Sequence, residues 1–223
     1  MTWALVTSLA QGSSDGAGFT TSAIDTTGAN LIVVNVSDND GTSTLADSKS
    51  NTWTLAAGPT TVQSCSRLYF CAATPTVGTG HTFTSGAQYA SLYILAYSGA
   101  ASSPLDQHAF ASQAVAGTIN PGSITPTEND ELVISGMSDQ DGSNPSAIDG
   151  GFTIDLRTHI AGGAHFGGGI AHLVQTTAAA TNPQWSSASF YTGATIASFK
   201  GGAAAPPATP RLRGVTRSTQ ILQ

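Results

Sequence analysis

Two short runs carry the densest carboxylate chemistry in the chain. Ser37-Asp38-Asn39-Asp40-Gly41 and Ser138-Asp139-Gln140-Asp141-Gly142 each set two acids two residues apart ahead of a glycine. Calcium gathers several hard oxygens at one point, so Asp38, Asp40, Asp139 and Asp141 are its candidate ligands. Neither run has the distal acid of the twelve-residue helix–loop–helix site. Asp and Gly also build tight turns after strands, and the turn is the favoured reading.

Other reactive types are more scattered. His159, His165 and His172 follow one another at spacings of six and seven, with His81 and His108 elsewhere. Zinc ligands on strands come as i, i+2 pairs or from several strands, so these histidines read as surface or strand-end residues. No Gly-x-Ser-x-Gly elbow presents a nucleophilic serine. Glu128 and Glu131 are the only glutamates and stand beside a turn; a facing pair of acids for glycoside cleavage is left open. Gly162-Gly163 and Gly167–Gly169 are followed by neither a helix nor a lysine, which argues against a phosphate cradle. The expectation is a protein that is not an enzyme.

Tyr89, Tyr93 and Tyr97 fall on one face of a strand at even spacing. Left open, that face is a platform for stacking on glycans; covered by a second sheet, it is ordinary packing. Cys65 and Cys71 lie in one strand candidate, roughly 20 Å apart when extended, beyond disulfide reach. They read as free thiols of a protein made in a reducing cytoplasm.

The elements that must hold these groups repeat with period two. Phe152, Ile154 and Leu156 alternate with Thr153, Asp155 and Arg157, and Trp53, Leu55 and Ala57 with Thr52, Thr54 and Ala56. Both patterns predict strands with one wet face. Leu31–Val36 is apolar on both faces, as in a central strand covered on both sides. Further strands are predicted near 3–10, 63–72, 80–85, 88–97, 107–114, 130–137, 168–175 and 188–199. Ala, Thr and Ser number 33, 30 and 26 of 223 residues, a composition that suits short strands and tight turns. The class is all-β, an antiparallel, jelly-roll-like β-sandwich with an extended C-terminal tail.

An internal duplication of about 100 residues organises the chain. Leu31-Ile-Val-Val-Asn-Val-Ser-Asp-Asn-Asp-Gly41 recurs as Leu132-Val-Ile-Ser-Gly-Met-Ser-Asp-Gln-Asp-Gly142. Tyr89–Gly99 recurs as Tyr191–Gly201, and at that spacing Phe83 falls on Trp185. Residues 1–200 therefore divide into halves of about 1–100 and 101–200. One sandwich built from both is preferred over two in tandem, because Ser98–Asp106 is short and unlike a linker.

Charge separates this body from its end. Residues 1–200 carry 13 acids against 4 lysines and arginines, net −9, whereas 201–223 carry three arginines and no acid. Such a body cannot neutralise many phosphates, so nucleic acid is not an expected partner. No apolar run reaches membrane-spanning length, and the first ten residues do not read as a signal peptide. Residues 201–210 form an Ala/Pro linker, and 211–223 a basic, mildly apolar docking tail.

Several stretches resemble a family of bacterial and bacteriophage β-sandwich modules. They are Ala29–Val34, Asp47–Leu55, Ile94–Gly99 with Pro104–Gln107, and Asn129–Ser135. The resemblance implies a structural or adhesive role and no catalytic residues. The expectation is a bacteriophage virion component (capsid decoration, head fibre or tail part) made in the host cytoplasm. It would be a homo-oligomer anchored on other virion proteins through Arg211, Leu212, Arg213, Val215, Arg217, Ile221 and Leu222. The alternative is a carbohydrate-binding or adhesive module that recognises surface glycans. No cofactor is expected, calcium at the Asp runs apart.

Overall fold

The computed structural model describes residues 2–13, 18–39, 41–59, 63–72, 74–86, 89–140, 145–158 and 167–202. Among these residues the chain forms strands and no helix, all paired strands running antiparallel. The first half contributes β1 (Ala4–Gly12), β2 (Phe19–Thr20), β3 (Leu31–Asp38), β4 (Leu45–Asp47), β5 (Thr54–Ala57), β6 (Cys65–Ala72), β7 (Phe83–Ser85) and β8 (Ser91–Ser98). The second contributes β9 (Ala100–Gln113), β10 (Glu131–Asp139), β11 (Ala147–Ile148), β12 (Thr153–Thr158), β13 (Gly167–Gln175), β14 (Trp185–Ser186) and β15 (Thr192–Gly201).

The halves use one strand order. In the first, a five-stranded sheet runs β1-β8-β3-β6-β5; in the second, β9-β15-β10-β13-β12. Over the first lies the small sheet β2-β7-β4, and over the second the β11-β14 pair, extended by a bridge from Ile119 to Trp185. Gly99 alone separates β8 from β9, so the segment Ser98–Asp106 is strand for most of its length and not a connector. A Cβ at Gly99 would stand 2.9 Å from the Thr2 carbonyl oxygen, and its φ is +110°, which reserves this turn for glycine.

Four layers follow from three cores. Leu31, Val33, Leu68, Tyr93 and Leu95 of the first large sheet meet Leu132, Ile134, Ile170 and Phe199 of the second in a central core. The opposite faces bury Ile32, Val34 and Val36 with Phe83, and Val133, Met137 and Ile196 with Trp185. This double covering is why Leu31–Val36 lacks alternation: every position meets a core. Both large sheets are central layers, unlike sheets of a two-layer sandwich.

The alternation at the sheet edges hides a bulge. Register shifts fall between Leu55 and Ala57 in β5 and between Ile154 and Leu156 in β12. An extra residue flips the faces of those beyond it. Ile154 therefore packs in the outer core and Leu156 in the central one, although the sequence puts them on the same side.

Candidate functional site

The seam between the halves has three chemically distinct parts: a hydroxyl-rich centre, two buried aspartates beside it, and an open cleft at one edge. At the centre, Ser37 and Ser138 exchange a hydrogen bond at 2.6 Å, and Ser138 also meets Ser64 at 2.6 Å. Ser37 and Ser138 hold the same place in the two similar Asp-bearing runs, and here they meet. Asn35 donates its amide to the Met137 and Gly169 carbonyls at 3.1 Å each and accepts from the Ser66 hydroxyl at 2.8 Å. A Cβ at Gly136, the position equivalent to Asn35, would fall 2.6 Å from the Asn35 Cγ. One half supplies the amide and the other the space for it.

The aspartates end β3 and β10. Asp38 is fully buried, ion-paired with Arg67, and accepts the Gly41 amide at 3.0 Å and the Ser43 amide at 2.9 Å. Arg67 in turn donates to the Gly41 carbonyl at 2.6 Å. Asp139, also fully buried, accepts the hydroxyls of Ser187 and Ser189. Both carboxylates thus hold the chain where it leaves a large sheet. Asp38 and Asp139, the described members of the candidate calcium set, turn their oxygens to internal donors. Asp40 and Asp141 lie outside the described residues.

The tyrosine platform is corrected. Tyr93 and Tyr97 are buried between the large sheets, where no sugar can stack on them. Burial pushes both phenols up, and Tyr93 hydrogen-bonds Thr158 at 3.0 Å across the seam. Tyr89 is half-buried, ahead of β8, with φ +53°.

Among the described residues the histidines do not converge. His81 is buried, stacked on Phe83 at 4.4 Å and bonded to Thr26 at 2.9 Å; burial lowers its pKa, against the pull of Asp47. His172 pairs with Asp155, the bulge residue of β12, at 2.8 Å, and its ring lies 6.1 Å from Tyr97. His108 is exposed on β9. His159 and His165 lie outside the described residues, as does the whole docking tail, with Arg211, Leu212, Arg213, Val215, Arg217, Ile221 and Leu222. Cys65 and Cys71 are buried and form no disulfide, as expected. Desolvation pushes the Cys71 thiol up to about 11.

A carboxyl pair does form, from residues the sequence keeps apart. Glu131 is fully buried and accepts the Glu128 amide at 2.9 Å; burial pushes its carboxyl up, and the charge of Asp106 adds to this. Asp106, despite some desolvation, is held low by the Thr127 amide and hydroxyl and by Lys200 at 3.3 Å. Lys200 reaches Glu128 at the same distance, so the cluster carries its own cation.

The cleft lies where the edge formed by β5 and β6 faces the start of β9. Its volume is about 340 Å³. Buried Pro104 and half-buried Phe70 and Leu105 form its apolar part, with the Cys71 thiol beside them. Thr52, Thr54, Ser102 and Ser103 are its exposed rim. Phe70 is fixed against Phe199 at 5.5 Å. Sequence reasoning missed this site because its two walls belong to different halves and consist of common strand residues.

No known family, characterised protein or solved structure matches this chain.

Proposed function

We propose that this chain is a non-enzymatic structural module whose β body is attached to a larger particle through residues 211–223. The particle suggested by the resemblance is a bacteriophage virion, with copies of the same chain and other virion proteins as partners. One observation carries the reading. Among the described residues, several charged groups of the body are employed in holding it together: Asp38 with Arg67, Asp139 with two serines, and Asp106 and Glu128 with Lys200. The segment suited to acidic partners is the one of opposite charge, three arginines beside Val215, Ile221 and Leu222. Arginines meet acidic neighbours in bidentate geometry, while the apolar side chains fill pockets. The matching strand orders of the halves further support descent from one duplicated, jelly-roll-like unit.

Deleting 211–223 tests the role. The shortened chain is expected to melt at the temperature of the full one and to be lost from assembled particles. Full incorporation without the tail contradicts the proposal.

A further inference from the structure

The described residues that line the seam cleft are chemically uniform in one respect: none is a carboxylate, lysine, arginine or histidine. An ionic ligand finds no counter-charge there, and leaving a charge unpaired on desolvation is costly. The remaining surface has two kinds. Phe70, Pro104 and Leu105 offer apolar area, and four exposed hydroxyls, those of Thr52, Thr54, Ser102 and Ser103, surround it. Each hydroxyl both donates and accepts.

We propose that this cleft is a binding site for a neutral sugar, one or two pyranose rings in size. A pyranose has an apolar C–H face and a rim of hydroxyls that each donate and accept, the complement of this lining. Aromatic and proline surface takes the C–H face, while the serine and threonine hydroxyls exchange hydrogen bonds with the ring substituents. The volume of about 340 Å³ sits at the lower end of the roughly 300–1,000 Å³ spanned by small-ligand pockets. Position adds a constraint: one wall comes from residues 52–72 and the other from 102–105, so the site exists only when the halves are docked. Sugar binding here does not depend on the tail, and particle incorporation and sugar binding can each fail without the other.

The test is a titration of the isotope-labelled full chain, followed by amide NMR. The probes are methyl glycosides of glucose, galactose and mannose, N-acetylglucosamine, and benzene as an apolar control. Saturable shifts are expected at Thr52, Thr54, Cys71, Ser102 and Ser103 with at least one sugar. Ser103→Trp, an exposed change that fills the cleft, is expected to weaken binding at least about tenfold with an unaltered melting temperature. If that variant does not fold, Thr54→Trp fills the cleft from the opposite wall. The proposal is overturned if no sugar gives a saturable shift up to about 50 mM. It is equally overturned if the shifts map elsewhere, if the filled variant binds as before, or if benzene alone occupies the cleft.

Discussion

The two halves answer the same structural problems with different side chains. Where a large-sheet strand ends on a buried aspartate, the first half supplies a guanidinium, Arg67, and the second supplies two hydroxyls, Ser187 and Ser189. The register explains the swap. Arg67 pairs with Val36, and the matching partner of Met137 is Gly169, which has no side chain to send. In the outer cores, Val34 and Phe83 of the first half stand where the second has Ser135 and Trp185. The indole of Trp185 donates to the Ser135 hydroxyl at 2.8 Å, so the larger ring has an acceptor for its N–H. At the base of the large sheets, Asn30 holds the Ala100 backbone at 2.9 and 3.1 Å, while its counterpart Glu131 is a buried carboxyl. Strand order is common to the halves, and the polar groups within it change in compensated sets.

The largest expected effect separates the two aspartates. Arg67→Ala strands a buried carboxylate and is expected to cost about 3–5 kcal/mol. Ser189→Ala removes one neutral donor and leaves another, for about 1–3 kcal/mol. Urea melts of both variants measure the gap, and equal losses would mean that Arg67 acts by packing alone.

The outer cores give the next test. Ser135→Val orphans the indole N–H and is expected to cost about 1–3 kcal/mol. Combined with Trp185→Phe, it rebuilds the first half's solution, and the double variant is expected to be more stable than the sum of the single changes predicts. Strict additivity in the four-member cycle would break the idea of a compensated set.

The smallest effect concerns Glu131. Its folded pKa lies above the unfolded value near 4.3, so the stability it contributes is present below that value and is lost as pH rises through the folded pKa. Glu131→Gln, which gives the second half a neutral amide as at Asn30, removes this loss. The variant is expected to melt above the parent at pH 7, with the gap closing as the pH falls below the unfolded carboxyl range. A gap that widens toward acid would reverse the assignment.

Much of this architecture is written locally. Alternation and turn residues place the strands, because each depends on neighbours a few positions away, and the repeated Leu31 and Leu132 runs mark equivalent positions. Three features depend on distant pairing and stay hidden. The bulge in β12 moves Leu156 to the opposite face without any change in residue type. Tyr93 and Tyr97 look like a platform until the second large sheet covers them. The Asp38–Arg67 pair spans 29 residues, and nothing in the turn-like Asp run announces that a strand partner will bring a cation. The cleft is the extreme case, since neither wall is a site without the other.

The central claim is that the seam makes the two halves one rigid body, the property a structural module needs and the sugar cleft requires. Scanning calorimetry of the full chain tests it most directly, with Arg67→Ala as a weakening confined to the first half and Ser189→Ala as one confined to the second. One transition is expected, with matching calorimetric and van't Hoff enthalpies, and both substitutions should shift that same transition. Two transitions, each moved by only one of the substitutions, would contradict the claim.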